Sequence, residues 1–204
     1  MKYIIFSVIL LSSISGEAQK QKNYLLEING DTISLSLDEL VVMKTRTGQS
    51  LNINLKQKEI LTFADENLSF QYPSNFTLSS KIIEEGVEQI LVISADGNAF
   101  LIQKYKDINP EKIVDLMMDE ITEESIDAGY KKTTKDISQL IKSGNTLTGK
   151  QSTLELDDEK NVYIIYPLKI KKGGILIVLM QIDPQDESAI KLYDTLWKTL
   201  EIKN

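Results

Sequence analysis

Two apolar runs, at residues 162–170 and 175–180, flank the segment Lys171-Lys172-Gly173-Gly174. A strand with one face in water alternates apolar and polar side chains. The run Ile175-Leu176-Ile177-Val178-Leu179-Met180 does not alternate, so both of its faces are expected to be covered. Paired glycines reach positive φ without a Cβ clash and predict a hairpin, which makes the two strands antiparallel. Two covered faces call for two amphipathic helices. The expected fold is therefore α+β: an antiparallel β-sheet covered by helices on both faces, an α/β/α sandwich, with an N-terminal β-hairpin extension.

The chain contains both helices. Asn109 has the side chain of an N-cap, Pro110 suits the first helical position, and Gly129 supplies a left-handed stop. Between them Ile113, Val114, Leu116, Met117, Met118, Ile121 and Ala128 fall on one arc at helical spacing, with Lys112, Asp115, Asp119, Thr122 and Glu123 opposite. Near the C-terminus Asp183-Pro184-Gln185-Asp186 resembles a capped start. Ala189, Ile190, Leu192, Tyr193, Leu196, Trp197 and Leu200 then form one stripe.

Short alternating runs account for most of the rest. Residues 24–28 and 33–37 flank Asn29-Gly30, a type I′ hairpin signal. A second pair spans residues 41–45 and 51–55 about Thr47-Gly48-Gln49, although residues 38–44 fit a helical turn equally well. Further strands are expected at 68–72 (ended by Pro73), 87–94, 99–105, 131–140 and 146–156. Pro167, which cannot donate to a ladder, marks a bulge or bend in the core hairpin. The organisation expected is 1–18 as a signal peptide, 19–62 as a β-rich extension and 63–204 as the main domain.

Composition narrows the chemistry. The chain opens with one lysine, an apolar core from Tyr3 to Leu11, and Gly16-Glu17-Ala18 before Gln19. That layout is expected of a signal peptide cleaved near Ala18, giving an exported, periplasmic or extracellular protein. The apolar core is shorter than the roughly 20 residues of a spanning helix, so no transmembrane segment is expected in the mature chain. Of 204 residues 30 are acidic and 23 basic, for a net charge of −7, and Arg46 is the one arginine. A basic stripe matching a phosphate backbone is missing, and no nucleic acid is expected as partner. With no histidine and no cysteine, imidazole bases, Ser-His-Asp triads and thiolate metal sites are excluded. No cofactor is expected.

The remaining candidates are few. Lys44, Arg46 and Thr47, beside the Gly48 turn, can anchor a carboxylate or phosphate, since a guanidinium forks onto two oxygens. Asp157-Asp158-Glu159 lacks the spaced ligands and central glycine of a calcium loop and is expected as a solvated turn. Glu120, Glu123 and Glu124 supply carboxylates on the outer side of a helix, short of a catalytic pair without a pocket. Lys142-Ser143 and Lys150-Gln151-Ser152 supply lysine and serine without dyad spacing, and neither GxxxxGK[ST] nor GxGxxG occurs.

Taken together, the strand ending in Phe70-Gln71-Tyr72-Pro73 with Phe76 after it, a hairpin, a helix ending at Gly129-Tyr130, a meander and a C-terminal helix with the tail Leu200-Glu201-Ile202 resemble the PsbP-like family. The resemblance covers about residues 63–204 and leaves 19–62 outside. It implies a binding or assembly module and no catalytic residue. The expected function is a non-catalytic module binding a protein or envelope component, with edges of the N-terminal strands open to β-augmentation. One alternative is a carrier of a small apolar ligand or lipid, in a cleft lined by Met117, Met118 and Trp197. Another is a carboxylate-based hydrolase.

Overall fold

The computed structural model describes residues 24–45, 48–170 and 173–203. They divide into two compact units between Gln57 and Lys58. In the first unit β1 (Tyr24–Ile28) pairs with β2 (Asp31–Leu35), and β3 (Leu40–Lys44) pairs with β4 (Ser50–Asn54), both antiparallel. Asn29 and Gly30 take φ of 51° and 84°, the left-handed values that a type I′ turn requires. Residues 38–44 resolve towards strand: the Asp38 N–H donates to the Leu55 carbonyl at 2.8 Å, and β3 follows. The segment 1–18, expected as a signal peptide, lies outside the described residues.

The second unit contains β5 (Ile60–Ala64), β6 (Leu68–Pro73), β7 (Thr77–Glu84), β8 (Val87–Ile93), β9 (Ala99–Tyr105), α1 (Val114–Asp127), β10 (Lys131–Leu140), β11 (Thr146–Leu156), β12 (Glu159–Lys169), β13 (Gly174–Gln181), α2 (Glu187–Thr199) and β14 (Glu201–Ile202). Its main sheet has the order β10-β11-β12-β13-β9-β8-β7, antiparallel throughout. The non-alternating strand β13 is the middle one of seven, and Gly174 to Leu179 are buried on both sides. The glycines before it have distinct reasons. Gly173 has φ of 94°, and a Cβ there would lie 1.8 Å from the Tyr105 carbonyl oxygen; a Cβ on Gly174 would lie 2.1 Å from Pro110 Cδ.

The register assigns the two faces. Ile164, Leu179, Phe100 and Val92 are successive partners on one face, and Tyr163, Met180, Ala99 and Ile93 on the other. Ala189, Leu192 and Leu196 of α2 pack on the first face together with Leu68, Phe70 and Tyr72 of β6. That strand belongs to a second sheet, β14-β6-β5. The second face receives α1 over β11 and β12, with Val114, Met117 and Met118 buried.

The expected α/β/α sandwich is therefore corrected. The described chain is mostly β, 55% strand against 17% helix, with two α-helices and a large seven-stranded antiparallel sheet. Seven strands at 4.8 Å spacing are about 29 Å across, whereas a helix is about 10 Å wide. One helix cannot cover such a face, and beside α2 the β14-β6-β5 sheet completes the layer. Two of the strands, β5 and β7, are not evident in the sequence. β7 is the sheet edge, exposed at all positions but Leu78, with a register shift between Ile82 and Glu84. Without a buried face it carries no period-2 pattern.

Only α2 starts at its expected cap. The Asn109 side chain accepts from the Glu111 N–H, but the turn it caps is 3₁₀ (Pro110–Lys112), so α1 begins only at Val114. Its end is a Schellman stop: Gly129 N–H donates to Ile126 and Tyr130 N–H to Ser125. The buried arc is rotated from the one expected. Leu116 is 63% exposed, while Thr122 is fully buried, donating to the Met118 carbonyl at 2.7 Å and accepting from Lys132 Nζ at 3.0 Å. In α2 the Asp186 carboxylate accepts from the Ser188 N–H and from Asn98 Nδ2, each within 2.9 Å.

The α2 stripe supplies a test. Leu196 is 0% exposed and Ile190, which shares the stripe in sequence, is 52% exposed. Leu196→Ala is expected to cost about 2–5 kcal/mol in urea denaturation, the range for a buried leucine. Ile190→Ala is expected to change stability by less than about 1 kcal/mol. Equal losses would overturn this packing.

Candidate binding cleft

Pro167 has no N–H to give a neighbouring strand, and the consequence is visible in the ladder. β12 stays paired to β13 down to Lys169–Gly174, but its pairing with β11 ends at Lys150–Ile165. Beyond that point β10 and β11 remain paired to each other as far as Leu140–Thr146 and leave the sheet as a two-stranded ribbon. Gly149 stands at the divergence. A Cβ there would be 2.1 Å from the Ile165 carbonyl oxygen and 2.7 Å from the Tyr166 ring, so only glycine lets the two backbones come this close.

The ribbon bends toward the α2 side. Ile137, Ile141 and Leu147 join the core there, and Lys142 Nζ holds Glu201 of β14 at 2.7 Å. On the opposite side the departing ribbon leaves a gap beside the start of α1. The result is a cleft of about 570 Å³. Its floor is two cross-strand pairs, Asp136 with Lys150 and Ser138 with Thr148. Glu111, Val114 and Asp115 form the wall, and Pro167 lies at the back.

The cleft is acidic and rich in hydrogen-bond acceptors. Among the described residues three carboxylates line it with one ammonium, Lys150, whose Nζ sits 2.5 Å from Asp115. The hydrogen bond to Asp115, helped by the charges of Asp115, Asp136 and Asp119, raises the Lys150 ammonium above the usual lysine value. It is therefore charged at neutral pH and occupied by Asp115. Asn109 Nδ2 steadies Glu111 at 3.2 Å. Asp136 sits beside the same lysine as its cross-strand partner.

A second, smaller pocket of about 270 Å³ lies by Lys104. Lys104 is 9% exposed and gives its ammonium to Asp65 at 2.6 Å and Glu88 at 2.7 Å. Burial alone would raise the Asp65 carboxyl; the Lys104 hydrogen bond and the Leu68 and Asn67 N–H groups outweigh it and hold it below the ordinary value. Burial likewise lowers Lys104, but its two acid partners outweigh that and raise it. Lys203 Nζ also donates to the Asp65 carbonyl, at 2.6 Å. This arrangement is a structural clasp between β9, β8 and the segment before β6, with its charges internally satisfied.

Of the residues singled out in the sequence, Lys44 is exposed at the end of β3, opposite Ser50. Arg46 and Thr47 lie outside the described residues. Met117 and Met118 are buried under α1, whereas Trp197 stacks edge-on against Tyr166 on the other face of the sheet, with ring centroids 5.4 Å apart. They do not share a cleft. Glu120 is raised by burial and by Glu123, but it lines neither the cleft nor the Lys104 pocket. Asp157 takes a left-handed φ of 51° in the β11–β12 turn, and Glu159 accepts from the Tyr130 hydroxyl. The cleft residues Asp115, Asp136, Ser138 and Thr148 were not singled out by sequence reasoning. The signal available for them was Pro167 together with polar side chains on both alternations of residues 131–139.

No family model matches the sequence, and no curated protein matches it. Among solved structures the chain is similar to cyanobacterial PsbP (CyanoP) from Synechocystis sp. PCC 6803, at 10% identity and a TM-score of 0.46, covering 71% of this chain and 93% of that one. It is also similar to a protein of Bacteroides thetaiotaomicron VPI-5482, at 13% identity and a TM-score of 0.40, covering 70% of this chain and 48% of the other. The chain spans about half the length of that second protein. PsbP is thus both the family that the element order resembles and one of the structural neighbours. Among the described residues no helix is long and apolar enough to cross a membrane.

The clasp makes stability depend on pH at both ends. A lowered Asp65 stabilises the fold above the ordinary carboxylate value, and that contribution is lost as pH falls through its depressed one. A raised Lys104 stabilises below the ordinary lysine value and loses its effect as pH rises through the raised one. Lys104→Met is expected to cost about 2 kcal/mol at neutral pH, below the 3–5 kcal/mol of a fully buried pair because Glu88 reaches solvent. The acid decline of stability should also flatten in the variant. Urea titrations across pH check both, and an unchanged acid limb would remove the clasp.

Proposed function

We propose that the protein is an exported, non-catalytic binding module that holds a protein or envelope component in the cleft between α1 and the β10–β11 ribbon. The observation that carries this reading is the cleft itself. It is built by two backbone features: Pro167, which has no N–H for a ladder, and Gly149, which lets two strands approach closer than any Cβ would allow. Its lining is open and carries three carboxylates, suited to recognition at a surface more than to desolvating a reacting group. The apolar-carrier alternative loses its support because Met117 and Met118 are separated from Trp197 by the sheet. The hydrolase alternative loses its support because Glu120, Glu123 and Glu124 line neither cleft nor pocket.

Export is supported by the lysine, apolar core and small residues that precede Gln19. The strands of the first unit offer a second surface. No third strand pairs with either hairpin among the described residues, and Lys44, Arg46 and Thr47 cluster at the β3–β4 turn in sequence.

Two measurements test the reading. N-terminal peptide mass spectrometry of protein from the native host is expected to find a chain beginning at Gln19, as glutamine or its cyclised pyroglutamate; an N-terminus at Met1 would overturn export. A photo-crosslinking residue replacing Ser138 in the cleft is expected to capture a discrete envelope adduct in the native host. The same residue at Glu155, on the other face of the sheet by register, is expected to capture none. Adducts at neither position, or equally at both, would overturn the cleft as the binding surface.

A further inference from the structure

We infer that two copies of this chain pair edge to edge through β7, continuing the main sheet across a two-fold axis. The observation that carries this is the contrast between the two edges of that sheet. Open strand edges attract further strands, and natural sheets defend them with charges, bulges or brevity. β10, at one edge, sets Lys131, Lys132, Lys135 and Asp136 along its length. β14 and β5, the edges of the small sheet, have two and five residues. β7, at the other edge of the main sheet, is eight residues long, and from Thr77 to Ile82 it carries Lys81 as its one charge. On the side away from β8 it has no partner strand among the described residues. Ile82 there is 79% exposed, the highest value of any large apolar side chain among them.

The occupant is a second copy because β7 is complementary to itself in one register. A two-fold axis normal to a sheet pairs antiparallel strands so that each residue meets one on its own face. Leu78, Ser80 and Ile82 lie on the α2 side, where Leu78 and Ser80 are register partners of the buried Val92 and Ile90. Thr77, Ser79 and Lys81 lie on the α1 side. With the axis at Ser80, the most exposed isoleucine meets Leu78 of the second copy, which already packs against the core, and this contact is made twice. Ser80 meets its own copy, a pair of hydroxyls that can hydrogen-bond, and Lys81 meets Ser79. An axis at Lys81 sets two like charges directly opposite each other and Ile82 against Ser80. An axis at Ser79 carries Ile82 past the end of the strand to Phe76. The register shift between Ile82 and Glu84 ends the regular edge at Ile82, which confines pairing to residues 78–82, centred on Ser80. Five residues a side is far below the roughly 20–30 of a standard interface, so the dimer is weak and reversible. It uses a different surface from the cleft, whose lining includes no residue of β7, and neither depends on the other.

Sedimentation velocity on the purified protein from about 20 µM to about 1 mM is expected to show a monomer–dimer equilibrium, the range that suits so small an interface. Association should be stronger at about 300 than at about 50 mM NaCl, because each copy carries a net charge of −7 and salt screens the repulsion. Ile82→Lys is expected to weaken it about tenfold or more by replacing the apolar contact with like charges. Lys81→Thr, which removes two diagonal like charges, is expected to tighten it severalfold. The chain has no cysteine, so Ser80→Cys places a single thiol at the axis, where opposed Cα atoms about 4.5–5.5 Å apart can close a disulfide. Oxidation by copper phenanthroline in air is expected to give a covalent dimer of Ser80→Cys and none of Lys135→Cys on β10. A monomer throughout the range overturns the inference and leaves β7 to a different partner. A dimer indifferent to Ile82→Lys overturns it too, as does crosslinking that is equal at both edges or found with Lys135→Cys alone. Ser80, Lys81, Ile82 and Lys135 are exposed, and a retained melting temperature excludes misfolding as the cause.

Discussion

The arrangement depends on burying β13 from both sides at once. Its buried stretch, Gly174 to Leu179, has no polar side chain to offer solvent, so it must sit mid-sheet with material above and below. Every other placement follows from that need. β12 and β9 flank it, and α2 with the small β14-β6-β5 sheet supplies one cover. The other cover is α1, which leans toward β11 and β12. The glycines that open β13 exist for the same reason, since the chain turns into the middle of the sheet against Tyr105 and Pro110 with no room for a Cβ.

The cleft is a by-product of how that core is closed. Seven strands cannot remain flat around one helix and a small sheet, so the β10–β11 ribbon leaves β12 at Pro167 and folds over the core edge, where Lys142 reaches Glu201. Bending inward on one face opens the other. Space, carboxylates and the start of α1 thus come together through core geometry, and the ribbon side chains on that side, Asp136, Ser138, Thr148 and Lys150, are polar because the core lies on the ribbon's other face. Lys104 solves a different problem: a cation facing the core side is kept there because Asp65 and Glu88 neutralise it, which also ties the segment before β6 to β9.

Legibility in the sequence tracked how local the cause was. The Asn29-Gly30 turn, the double glycine at 173–174, the Asn109 and Asp186 caps and the Gly129 stop depend on the φ preference or hydrogen bonding of a few neighbouring residues, and each is found where expected. The burial of the strand after Gly173-Gly174 was legible because its composition excludes any wet face. Two of the edge strands were not: β7 and β5 have weak patterns and are strands because a neighbour offers hydrogen bonds. The rotation of α1 was also hidden. Leu116 and Thr122 exchange their expected environments because Lys132, which lies on a strand formed later in the chain, comes to the threonine hydroxyl.

By itself the sequence determined the antiparallel hairpin at the centre, the two helices with the stop of α1 and the start of α2, an acidic chain without imidazole or thiol chemistry, and an N-terminal segment with the layout of a signal peptide. These are properties of composition, period and local backbone preference. Only the tertiary structure decided that strand, and not helix, makes up most of the fold, that Met117 and Met118 lie across the sheet from Trp197, and that Asp136, Lys150 and Asp115 share a cleft. Register decides which face a strand residue occupies, and a one-residue slip would reverse it. Asp115 and Lys150 are 35 positions apart in the chain, and nothing in a run of residues states that distant groups will meet. Pro167 was expected to mark a bulge or bend in the core hairpin, yet β12 runs through it in unbroken register with β13 and loses only its pairing with β11; where the departing ribbon went, and what it uncovered, was set by the core it had to close.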